Sequence, residues 1–163
     1  MSRLRHLFWR FIEVLAARPL SPREQTEVAA LLRDPERDLF WRQPAADQRH
    51  CLEAARRVLS AAPGRRELAR AALLHDVGKR HARLGVIGRS LASGLELVRL
   101  PAPGRLNAYL QHGPIGADEL RSVGAEGLVV AFTEHHHGTR PAHIQQDDWM
   151  LLLEADEERK PWS

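Results

Sequence analysis

The chain predicts an all-α fold, a helical bundle carrying an N-terminal helical extension. Three observations lead there. Apolar residues recur at spacings of three and four in one segment after another. No run alternates apolar with polar residues as a half-buried strand would. Pro and Gly fall at intervals suited to helices joined by short connections. At 163 residues the chain fits one domain, large enough that folding removes roughly 70% of the unfolded surface without covalent staples. No internal repeat or low-complexity tract interrupts it.

Leu4, Leu7, Phe8, Phe11, Ile12 and Leu15 trace an amphipathic first helix ending near Pro19. Ser21-Pro22-Arg23-Glu24 reads as a capping box with Pro at the first helical position, opening a helix that runs toward Leu32. Asp34-Pro35 ends it, and 38–41 is expected to be a short turn holding a buried Phe40. The next helix spans 47–60 and closes at Pro63-Gly64; another covers 65–77, with Gly78 as its stop. The glycine-spaced, basic stretch 78–90 predicts a loop. Further helices are expected over 91–100, 106–110, 114–123, 126–135 and 147–159. The expected division is an extension over 1–45 packed on a core domain over 46–163, forming one compact unit.

The formal charge is +3, from 24 Lys and Arg against 21 Asp and Glu, and the charges are dispersed. A cationic mouth suits small phosphorylated molecules. The absence of aromatic residues interleaved with a basic stripe argues against nucleic acid as a substrate. Cys51 is the only cysteine, so an internal disulfide is excluded and a reducing compartment is the default. No apolar run approaches the roughly 18 residues of a membrane span, and no signal-peptide block precedes the first helix. The expectation is a soluble, cytoplasmic protein without a membrane partner.

The chemistry concentrates at His75-Asp76, where an imidazole and a carboxylate sit at the end of the apolar run 71–74. Leu68, Ala72 and His75 share one helical stripe and Ala69, Leu73 and Asp76 the next, so both polar side chains point inward. A buried carboxylate needs a partner, and a metal ion meets that need. Lys79 follows one turn later in a chain whose only other lysine is Lys160, which suggests a compact cation facing phosphate.

Other residues join the pair. His50 faces inward with Cys51 and Ala54; alone it reads as structural. Asp156 shares the apolar face of the last helix with Trp149 and Leu152 or Leu153, and a buried salt bridge with an arginine is the plain alternative. His112 precedes Gly116 and Ala117, which let a neighbouring helix approach closely; a helix cap is its plain alternative. In His135-His136-His137, spacings of four and three lead from Leu128 through Phe132 to His135, so at least one of the three can face inward, against a solvated helix end. Together His50, His75, Asp76 and Asp156 form a mixed nitrogen and oxygen set with open coordination positions. His112 and His135 supply a second ion, with Asp76 bridging, and two such ions suit hydroxide generation and in-line attack on phosphorus.

The ordered series His50, His75-Asp76 and Asp156 resembles the signature of the HD-domain superfamily of metal-dependent phosphohydrolases, from about Arg49 to Asp156. The segments 49–55 and 112–117 are similar to those of its dinuclear branch, the bacterial symmetrical diadenosine tetraphosphate hydrolases. The triple His resembles both their single His and the paired His of the cyclic-di-GMP phosphodiesterases. Gly138-Thr139-Arg140-Pro141 lacks the latter's signature, which argues against a cyclic dinucleotide.

The resemblance implies an HD-type helical domain and one or two divalent transition ions, of iron, manganese, cobalt, nickel or zinc. It further implies hydrolysis of a nucleotide or related small phosphate ester or anhydride through a metal-bound hydroxide. It makes Asp76 and Lys79 the catalytic residues and names His135 first and His136 next as second-ion ligands. Lys79 is expected on phosphate, with Arg83, Arg89 and Arg140 assigned beside it from local position. Residues 1–45 match none of these motifs, which leaves capping of the pocket, packing of the core or a homodimer contact open to them. Two alternatives remain: a di-iron oxygenase of the same superfamily, and a non-catalytic metal-binding module for a partner.

Overall fold

The computed structural model describes residues 18–82, 84, 88 and 103–157. The regular elements among the described residues are all helices, with no strand: α1 (Pro22–Leu31), α2 (Asp34–Trp41), α3 (Ala45–Ala61), α4 (Arg66–Leu74), a 3-10 segment (Val77–Ala82), α5 (Arg105–Leu110), α6 (His112–Ser122), α7 (Gly127–His135) and α8 (Gln146–Glu157). No described helix is long and apolar enough to cross a membrane. The helices expected over 4–15 and 91–100 lie outside the described residues, as do Arg83 and Arg89.

α1 starts as its sequence predicts. Ser21 Oγ accepts from the Glu24 amide at 3.4 Å, and Glu24 Oε2 accepts from the Ser21 amide at 2.8 Å. Those Ser21 bonds, with Arg49 beside them, lower the Glu24 carboxyl from 4.5 to about 2. A carboxyl lowered by folding stabilises the protein fully above its unfolded pKa, and the contribution fades as pH falls through its folded one. Glu24→Gln should therefore be less stable than the parent at pH 7. The gap should close between pH 4.5 and 2, as urea unfolding across that range would show.

The expected turn at 38–41 is instead the end of a helix. Asp34-Pro35 ends α1 and begins α2, because Pro lacks only an amide hydrogen that the first turn leaves unused. The Arg33 amide donates to Glu36 Oε2 at 2.9 Å and closes the start. Phe40 is fully buried, as expected. Glu36 is also buried, and its charge is met by Arg70 of α4 at 2.5 Å, which ties the 18–44 segment to the central helix. Leu20, Val28, Leu39 and Phe40 belong to the same apolar core as Leu52, Leu73, Leu120, Phe132 and Leu152.

α4 lies at the centre of this core. Every residue from Leu68 to Leu74 is buried, the signature of a helix covered on all sides. α3, α7 and α8 pack around it. The α-helix ends at Leu74, and Val77–Ala82 tightens into a 3-10 turn where a loop was expected, with the Lys79 amide donating to the Asp76 carbonyl at 3.0 Å. Gly78 is no left-handed helix stop, since the glycines with positive φ among the described residues are Gly64, Gly104 and Gly124. Its role is proximity: a Cβ there would stand 2.0 Å from the His112 carbonyl oxygen and 2.7 Å from the Gly116 nitrogen. Gly116 lets Gly78 and Thr133 approach in turn, so α6 sits against both the 3-10 segment and α7, as the small residues at 116 and 117 predict.

Candidate metal centre

Four helices bring their last described turns, or the residues just past them, to one place. His75 caps α4, His112 opens α6 just past the Gln111 cap of α5, His136 caps α7, and Asp156 lies in the last described turn of α8. Helix C-termini carry partial negative charge and unpaired carbonyls, so their convergence favours a cation. Each of the three histidines also bonds a carbonyl of the helix that precedes it. Nδ1 of His75 lies 2.9 Å from the Ala72 carbonyl, that of His112 2.6 Å from the Tyr109 carbonyl, and that of His136 2.9 Å from the Thr133 carbonyl. A carbonyl only accepts, so each Nδ1 carries a hydrogen and each Nε2 points inward, where it offers a lone pair whenever the ring is neutral. Backbone carbonyls hold metal-ligating imidazoles in this way.

The lone pairs converge. Asp156 Oδ1 is 2.8 Å from His50 Nε2 and 3.1 Å from His75 Nε2, and Asp76 Oδ1 is 3.4 Å from His75 Nε2. Asp76 Oδ2 lies 3.9 Å from His50 Nε2. Ligands about 2.1 Å from a common ion stand about 3.0–3.4 Å from one another, so the spacing fits a single cation. Both His75 Nε2 and Asp76 Oδ1 are buried without a hydrogen-bond partner, the arrangement a metal relieves and an ordinary polar core avoids. His50, His75 and Asp76 can hold an ion together.

A second set adjoins the first. Asp76 Oδ1 is 3.4 Å from His112 Nε2 and 3.8 Å from His136 Nε2, and those two nitrogens are 3.2 Å apart. Asp76 thus stands between the two groups. Nitrogens that close, both presenting lone pairs, repel unless a positive charge lies between them. His137 completes the set with His112 and His136, its ring centroid 4.0 Å from that of His136.

Charge follows the same logic. Burial resists ionisation of Asp76, but His75 and Lys79 outweigh it and hold the carboxyl well below its usual range. Burial alone would depress His75, yet Asp76 and Asp156 raise it well above the ordinary imidazole value. The pocket selects positive charge. Burial and then His75 hold His136 well below its ordinary value. Desolvation and then His112 lower His137 to about 4, which leaves both free to ligate at neutral pH. Lys79 Nζ lies 2.5 Å from Asp76 Oδ2, its side chain 15% exposed.

His50, His75, Asp76, His112, His136 and Asp156 therefore meet, as their sequence positions predict. His135 does not join them. Its side chain is 45% exposed, with Glu134 at 3.8 Å. The inward stripe of α7 runs through Val129, Phe132, Thr133 and His136, one residue out of step with the stripe drawn from Leu128. His135→Ala should leave metal affinity unchanged. His136→Ala should weaken the second ion by more than the roughly 10–100-fold typical of changes one layer out, and calorimetric titration with manganese separates the two.

Arg140 Nη1 donates to the carbonyls of Pro141 and Ile144, within its own loop. His137 was not singled out from sequence. The run of three histidines was the available signal, but it does not say which ring turns inward. No protein-family profile, curated protein or solved structure matches this chain.

Proposed function

We propose that this chain is a metal-dependent phosphohydrolase acting on a nucleotide or a related small phosphate ester or anhydride, with an HD-type centre. One observation carries the reading: a set of His50, His75 and Asp76 adjoins a set of His112, His136 and His137, with Asp76 Oδ1 3.4 Å from His112 and 3.8 Å from His136, beside a mostly buried ammonium, that of Lys79. His50, His75, Asp76 and Asp156 would hold one divalent ion, and Asp76, His112, His136 and His137 a second. Such ions, when bound, lower the pKa of coordinated water and neutralise charge on phosphoryl oxygens. The chain's own contribution is orientation and charge. Backbone carbonyls fix three imidazoles, Asp76 spans both sets, and Lys79 places a point charge where negative charge develops in phosphoryl transfer. Lys79, Asp156 and His137 retain solvent exposure, so substrate would enter past them.

Metal analysis of gently purified protein, followed by a phosphatase screen over nucleotides and dinucleoside polyphosphates with manganese under anaerobic conditions, tests this. The expected result is one or two bound divalent ions per chain and hydrolysis without oxygen. Bound metal with no hydrolysis across the screen would overturn the enzymatic reading in favour of a metal-holding partner module. Turnover only with iron and oxygen would replace it with oxygenase chemistry.

A further inference from the structure

We infer that Arg57 is a positioning residue for the Asp156 ligand. α3 carries two side chains, His50 and Arg57, that grip the last described turn of α8 from points two helical turns apart, about 10.5 Å along the axis. His50 Nε2 meets the Asp156 carboxylate at 2.8 Å. Arg57 Nη1 donates to the carbonyl of Ala155, the residue before it, at 2.8 Å. That carbonyl belongs to the last described turn of the helix, next to the peptide that carries the Asp156 side chain.

Trp149, Leu152 and Ala155 bury α8 along its length, but apolar contacts leave a helix free to slide or rotate slightly about its axis. Such a rotation would swing the Asp156 oxygen away from His50 and His75. A directional hydrogen bond to the adjacent peptide resists it. Arg57 touches no ligand atom. Its other partner among the described residues is Glu53 at 3.8 Å, with both side chains partly exposed, a pair of the kind that contributes little to stability. The role assigned to Arg57 is thus to set the angle of the Asp156 carboxylate, and it rests on Asp156 being a metal ligand.

Cobalt(II) titration of the full chain, read by its visible d–d absorption and by calorimetry, tests the inference alongside thermal melting. Arg57→Met keeps the aliphatic stem and removes the donor; it should weaken cobalt binding by about tenfold or more and shift the d–d band. Arg57→Lys keeps a donor and should restore most of the affinity and the parental band. Glu53→Ala should bind as the parent does. Arg57→Met with parental affinity and spectrum would overturn the inference, as would Arg57→Lys binding as weakly as Arg57→Met when both melt with the parent. Asp156→Asn separates the two levels. If it too binds cobalt normally, the ligand reading fails; if it loses the metal while Arg57→Met does not, only the role of Arg57 fails.

Discussion

Asp76→Ala should lose metal binding and hydrolysis together, with turnover falling below detection. Asp76 Oδ1 is the atom nearest both ligand sets, at 3.4 Å from His75 and from His112 and 3.8 Å from His136. No neighbouring carboxylate can replace it, since Asp156 reaches His50 and His75 by its own Oδ1. The substitution also strands a charge. Lys79 Nζ rests on Asp76 Oδ2 with little access to water, and removing one partner of a buried pair costs about 3–5 kcal/mol. Asp76→Ala should therefore be destabilised as well, which blurs its interpretation. Asp76→Asn keeps the shape and one acceptor oxygen while removing the charge, so its loss of metal cannot be assigned to a cavity. Measured metal content and steady-state hydrolysis of both variants decide the matter; full activity in either would remove Asp76 from the mechanism.

The sequence made parts of this centre legible and hid others for identifiable reasons. His75-Asp76 was readable because an apolar run has few ways to end in two ionisable groups that both face inward. Asp156 was readable because it interrupts an apolar stripe. The choice between His135 and His136 was not. Leu128 and Val129 are both apolar, so periodicity alone leaves the phase of α7 open by one residue, and packing against α4 and α6 sets it. Asp34-Pro35 is ambiguous in the same way, since Pro ends one helix by the rule that lets it begin another. Arg140 shows a different limit: a long side chain can be placed near a site by sequence, but nothing local says that one of its nitrogens will bind the carbonyls of its own loop.

Gly78 is the clearest case of tertiary information absent from local pattern, and its replacement should have the second large effect. Read locally, it looks like a helix stop, for which alanine would cost roughly 1 kcal/mol. The structure predicts a larger penalty. A Cβ at 78 would lie 2.0 Å from the His112 oxygen, 2.7 Å from the Gly116 nitrogen and 2.9 Å from the His112 carbonyl carbon. All three are backbone atoms, so no rotamer change relieves them, and α6 must separate from the 3-10 segment. Overpacking typically costs about 1–3 kcal/mol, and the upper end applies where backbone meets backbone. For a chain of this size that lowers the melting temperature by roughly 6–12 °C. The separation acts on chemistry too, because His112 would move with α6 away from Asp76 and His136 and loosen the second ligand set before the first. Gly127→Ala provides the comparison, since nothing stands within 4 Å of a Cβ there and its φ is not positive; it should melt at or slightly above the parent. Thermal melts of both variants, with manganese titration of Gly78→Ala, check this, and a Gly78→Ala protein matching the parent in both would show that the contact between α6 and the 3-10 segment does not govern the site.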